Sequence, residues 1–200
     1  MPMRFWSALS LIIVISLPAE GQLRNDTVLT QEIYDTGLSG LSQTLFGNIK
    51  YPSAERRNEV GGTVLLMFVV RPDMSVDSVT VINPVTPAID AEATRVLKLT
   101  SGHWTTNGRG VFLVPIQFSQ LHDQDEHRNY AVKYLKEGNY RKAVKHLVEL
   151  KRLNPLDMDS LDNLIEAYRV LGETENEMKT RQFKELILEF KGSGRIVFVS

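Results

Sequence analysis

The residues most able to do chemistry sit close together. His122, Asp123, Asp125, Glu126 and His127 place five potential metal ligands within one short stretch. On a helix, side chains that share a face are three or four positions apart, whereas these two histidines are five apart. The pair is out of phase for a common ion, so the acids read instead as the start of a helix, where the dipole favours negative charge. His103-Trp104 is a second constellation, an imidazole beside an indole that could stack on a flat ligand. Large aromatic side chains carry much of a small core, and packing is the preferred reading. Arg56, Arg57, Lys98 and Arg109 are scattered and read as solvated charges.

No arrangement for catalysis emerges. The chain has no Gly-x-Ser-x-Gly elbow, no Gly-x-x-x-x-Gly-Lys phosphate loop and no His-Glu-x-x-His. Gly108-Arg109-Gly110 is too short for a nucleotide loop. Cysteine is absent, which excludes disulfides, thiolate metal sites, cysteine nucleophiles and a lipid-modified cysteine. Lys plus Arg number 23 against 24 Asp plus Glu, a net charge of −1, so there is no electrostatic footprint for nucleic acid. The expectation is a binding protein rather than an enzyme, with no cofactor and no metal.

The elements that would position a binding surface are legible in the hydrophobic pattern. Arg4 followed by the mostly apolar Phe5 to Leu17, then Pro18 and Ala19-Glu20-Gly21, has the form of a signal peptide cleaved before Gln22. The apolar stretch falls short of the roughly 20 residues that span a bilayer. Leu23 to Thr36 reads as a linker. Leu38, Leu41, Leu45 and Ile49 recur at helical spacing. Thr63 to Val70 is apolar on both faces and reads as a central strand covered on both sides. A turn at Arg71 to Ser75 leads to a second strand, Val76 to Ile82. Ile89, Ala93, Val96 and Leu97 then share a helical face, with Pro87 in the first turn. A third strand, Val111 to Phe118, points Phe112, Val114, Ile116 and Phe118 inward. Pro115 cannot donate to a ladder, which makes this strand the edge of the sheet.

From His122 the pattern turns helical and repeats. Tyr134 and Tyr168, Gly138 and Gly172, Tyr130 and Leu164, and Ala131 and Ile165 are each 34 residues apart. A 34-residue period built from two helices is the signature of tetratricopeptide (TPR) repeats. One and a half repeats cannot form a long groove, so the helices are expected to pack on the α+β domain, on another chain, or on both. Tyr130, Tyr134 and Tyr168 are candidates for a TPR-like surface, although tyrosines at such positions commonly pack between helices. The tail ends in Ile196 to Val199, which reads as a short strand.

Residues from about 45 to 118 resemble the TonB C-terminal domain family. The matching elements are Leu45-Phe46, Ile49-Lys50-Tyr51-Pro52, Ala54, Gly62-x-Val64-x-x-x-Phe68-x-Val70, Val76, Val79, Val81, Pro87-x-Ile89-Asp90-x-x-Ala93, Trp104 and the strand bearing Pro115. Met74 departs from the pattern, standing where the hairpin turn usually carries glycine, and Thr105-Thr106 replaces a proline-bearing stretch. The resemblance implies a helix-backed three-stranded sheet with Trp104 in its core. It also implies an edge strand, here Val111, Leu113, Pro115 and Gln117, that captures an extended peptide, as from an outer-membrane transporter. Energy transducers of this kind carry a long proline-rich spacer. Only about fifteen residues stand here, which at ~3.5 Å each could hardly cross a periplasm.

The fold expectation is therefore α+β: a small helix-backed three-stranded antiparallel sheet followed by an all-α TPR-like region. The divisions are 1–21 signal peptide, 22–37 linker, 38–119 α+β domain, 120–191 helical region and 192–200 tail. Two functional readings follow. One is an exported periplasmic or envelope adaptor that binds a peptide or protein segment at the β edge, touching the membrane only through an uncleaved signal or a membrane-protein partner. The other is a structural subunit whose edge is closed by Ile196 to Val199, from its own chain or a second copy, with homo-oligomerisation as its use.

Overall fold

A computed structural model describes residues 34–105, 110–118 and 124–198. The expected signal peptide, His122 and Asp123 lie outside these residues. The elements run α1 (Gly37–Phe46), α2 (Ser53–Arg57), β1 (Gly62–Val70), β2 (Val76–Asn83), α3 (Pro87–Lys98), β3 (Gly110–Phe118), α4 (Gln124–Lys136), α5 (Tyr140–Leu153), α6 (Met158–Leu171) and α7 (Thr174–Gly192).

The sheet is antiparallel, in the order β2-β1-β3. β1 and β3 pair without interruption from Gly62↔Phe118 to Val70↔Gly110. Pro115 does sit on an edge strand, as its missing N–H requires. Both faces of β1 are buried because each is covered by helices. Val64, Leu66, Phe68 and Val70 join Phe112, Val114, Ile116 and Phe118 against α3, whose Ile89, Ala93, Val96 and Leu97 are all inaccessible. On the opposite face Leu65 and Leu113 pack against Leu161 of α6 and Phe183, Ile187 and Phe190 of α7. The helical region thus roofs the sheet, and Thr63 Oγ1 donates to the Leu153 carbonyl at 2.6 Å to join the two.

α3 starts where the sequence says it should. Thr86 accepts from Ile89 N–H at the N-cap, and Pro87 takes the first turn, where its missing donor costs nothing. Part of the segment read as a linker belongs to the core. Tyr34 is 2% exposed, bridges to Trp104, and meets its ring edge-on at 5.3 Å. The physical reason is that the α3 face of the sheet needs a cap at its Trp104 end, and one aromatic ahead of α1 supplies it.

The 34-residue period has a backbone counterpart. Gly138 and Gly172 end α4 and α6 at φ values of +70° and +72°, a left-handed conformation that glycine adopts without strain. The same bonds close both helix ends: Asn139 N–H to Tyr134 C=O at 2.8 Å, and Glu173 N–H to Tyr168 C=O at 2.9 Å. Ala131, Ala143, Leu147, Leu150, Leu164, Ala167 and Tyr168 form the core between these helices.

The β1–β2 turn holds Met74 at φ +65°, with its N–H on the Arg71 carbonyl at 2.9 Å. A methionine therefore occupies the glycine conformation of the turn at a cost of roughly 1 kcal/mol or more. Met74→Gly is expected to raise the unfolding free energy by about 0.5–1 kcal/mol, the relief of strain being offset in part by greater unfolded-chain entropy. Phe68, inaccessible and ringed by Trp104 at 5.1 Å and Phe112 at 5.8 Å, sets the opposite extreme. Phe68→Ala should cost about 3–5 kcal/mol. Urea unfolding of both variants measures the two effects.

Candidate functional site

The surface best suited to a partner is the free side of β3, and its geometry follows from the ladder with β1. Along an antiparallel strand, successive residues turn their backbone groups alternately toward and away from the neighbour. Leu113 turns outward, so Val111, Pro115 and Gln117 do the same. These are the four residues that the sequence assigns to partner binding.

Leu113 is already engaged. Its N–H donates to the Arg195 carbonyl at 2.9 Å, and its carbonyl accepts from Val197 N–H at 2.8 Å. The tail runs parallel to β3 and is centred on the bridge Leu113↔Ile196. Its side chains alternate across the sheet: Ile196 enters the core under α6 and α7, and Val197 enters the core under α3. They are 7% and 1% exposed, whereas Phe198 is 55% exposed. The expected strand is thus one bridge, with Val199 outside the described residues, and Leu113 is not open to a peptide as the structure stands.

Two features keep the pairing short. Pro115 has no N–H to offer the next tail carbonyl. On the other side the Arg195 N–H is spent on the Phe190 carbonyl, 2.9 Å away at the end of α7. The two bonds contribute about 1–3 kcal/mol net. Burying Ile196 and Val197 adds about 3–6 kcal/mol. Ordering four residues costs about 4–8 kcal/mol. Gain and cost are comparable, so the tail is a latch rather than a weld.

Beyond the latch, Pro115 and Gln117 border an open cleft of about 380 Å³. Thr63, Gln124, Leu153, Asn154, Pro155, Leu156 and Phe198 complete its lining. Val111, at the other end of the edge, packs half-buried against the α7 core. The β3 edge thus divides into a self-occupied centre and a cleft-facing end.

The other candidates fall away from this edge. Trp104 is 1% exposed and donates Nε1–H to Thr100 Oγ1 at 3.0 Å, while His103 lies outside with its Nδ1 2.8 Å from Asp35 Oδ2. Trp104 packs in the core, and the exposed His103 pairs with Asp35. Tyr168 is buried in the helical core and does not belong to a surface, because its ring fills the space between α4, α5 and α6. Tyr130 is 39% exposed, and Tyr134 stacks beside it at 6.2 Å. Lys151, which no motif marked, is a half-buried cation beside Phe183 of the second face. Burial pushes its ammonium below the usual lysine value, and it lies 4.3 Å from the Phe183 ring centroid. Among the described residues no group of three or more His, Cys, Asp or Glu side chains could hold a metal ion.

The sheet, its α3 backing and the Pro115 edge coincide with a known family. Residues 47–119 match the family model described as Gram-negative bacterial TonB protein C-terminal. Over this segment the chain is similar to that family. The match stops at the end of β3, leaving α4 to α7 and the tail outside it. Two solution structures of the Helicobacter pylori TonB C-terminal domain are matched by part of the chain. One is 17% identical, covers 50% of this chain and 87% of that chain, and has a TM-score of 0.40. The other is 20% identical, covers 43% and 96%, and has a TM-score of 0.38. A comparison with curated proteins gives no match. No helix among the described residues is long and apolar enough to cross a membrane.

The β3 edge of this chain therefore differs from a bare one by its latch. Ile196→Ala should lower stability by about 1–2 kcal/mol, below the ~2–5 kcal/mol of a rigid core site because the tail can let go. Phe198→Ala should stay within about 0.5 kcal/mol. Thermal unfolding of the pair tests whether Ile196, and not the tail as a whole, is the anchor.

Proposed function

We propose that this chain is an exported, non-enzymatic protein-interaction module of the cell envelope that receives an extended segment of a partner along β3, in competition with its own tail. The observation that carries the reading is the parallel bridge Leu113↔Ile196, in which β3 accepts an apolar extended segment through main-chain bonds. Such bonds supply affinity without sequence demand, and alternate side chains supply selectivity. A TonB-type domain is a reasonable carrier, since the family acts in the envelope on outer-membrane transporters and other proteins. The TPR-like helices, with Tyr130 and Tyr134 on their outer side, would meet a second partner.

A structural reading has its own support. Ile196 and Val197 reach into separate cores, on either side of the sheet, which is more than a passing contact requires. In that reading the tail closes the edge for good and protects it from unwanted pairing.

Removing Gly192 to Ser200 separates the two. If β3 receives partners, the truncated protein keeps its fold and mass and binds a synthetic peptide of residues 195–200 in trans, while the intact protein binds it at least ten-fold more weakly. If the tail is structural, truncation lowers the unfolding temperature by many degrees or changes the oligomeric mass, and the peptide is not taken up as a ligand. Calorimetric titration with light-scattering mass measurement reads both.

A further inference from the structure

The helix pair α4–α5 brings together two histidines that are 19 positions apart in the chain. Nδ1 of His127 lies 3.1 Å from Nδ1 of His146, with ring centroids 5.3 Å apart. Both rings are half-buried. Such a contact holds one proton, which one neutral imidazole donates to the other. His146 is also fixed by stacking on Tyr130 at 5.0 Å and Tyr134 at 5.7 Å, each within 27° of parallel. The pair is thus placed by packing and is not a chance meeting of mobile surface side chains.

We propose that His127 and His146 form a divalent transition-metal site that cross-braces α4 and α5. With metal–nitrogen bonds of about 2.0–2.1 Å, a 3.1 Å separation corresponds to an angle of about 95–100° at the ion, suited to two adjacent ligands. Two imidazole donors select zinc, nickel or copper over calcium and magnesium, which require oxygen. Burial and the neighbouring His127, with Lys145, disfavour positive charge at His146 and hold its imidazole below the usual value, while Glu126 and Glu149 oppose them in part. No third His, Cys, Asp or Glu among the described residues completes a cluster. Binding releases no proton: the shared Nδ1–H moves to Nε2 of its own ring as the Nδ1 lone pair turns to the metal. The brace would add to the packing of α4, which is held by the fully buried Ala131 with Tyr134 and Leu135 against the same core.

The test is titration of the purified, tag-free protein with zinc chloride, followed by calorimetry and thermal unfolding, with calcium chloride as the control. One saturable zinc equivalent is expected, with a rise in unfolding temperature that calcium does not produce. His127→Ala should weaken zinc binding at least ten-fold and abolish the rise, while its far-UV circular dichroism matches the parent. His127→Gln, closer in shape, serves if the alanine variant does not fold. Absence of saturable zinc binding, or less than a ten-fold loss in the folded variant, overturns the proposal.

Discussion

Everything in this structure depends on the second face of the sheet being dry. Leu65 and Leu113 are inaccessible on the side away from α3, where a small three-stranded sheet by itself would meet water. Covering them requires a hydrophobic layer, and α6 and α7 supply it through Leu161, Phe183, Ile187 and Phe190. Two apolar faces on one strand cannot be left half-covered, since each fully buried leucine is worth about 1.5–3 kcal/mol. The composition of β1 therefore dictates that the two halves of the chain fold against each other.

That packing has a consequence for the edge. α7 lies along the underside of the sheet and ends beside β3, so the residues following Gly192 emerge within reach of Leu113. Ile196 then continues the row of apolar side chains begun by Phe183, Ile187 and Phe190. The latch is an extension of the interface that roofs the sheet, and its strength is set by how far that interface reaches. Pro115 limits the ladder to two bonds and leaves the cleft end of β3 uncovered by main-chain pairing from Val197.

Much of the fold was readable because its signals were local. The period-2 pattern of β3, the helical face of α3 and the proline rule for an edge strand each depend on a few adjacent residues. The double apolar face of β1 even announced a second covering layer, though not which helices would provide it. Tyr34 was missed because a lone aromatic in a polar stretch has no periodicity, and its burial is decided by Trp104, seventy positions on. The candidate edge was legible as a strand, whereas its occupation was only one of two alternatives, since a parallel bridge between positions 113 and 196 leaves no pattern in either segment alone. The meeting of His127 with His146 is likewise hidden in the sequence, because helical phase relates residues of one helix and this contact lies between two.

On the proposed reading, β3 carries the chain's own tail as a releasable latch. Hydrogen–deuterium exchange at the Leu113 amide tests it most directly, since that group bonds outward to the tail and not to β1. Exchange at Leu113 and Val197 should be equally slowed, faster than at the β1–β3 ladder amides, and removal of the tail should free Leu113 while the ladder stays protected. Unprotected exchange at Leu113 in the intact protein, or protection that survives removal of the tail, would contradict the account.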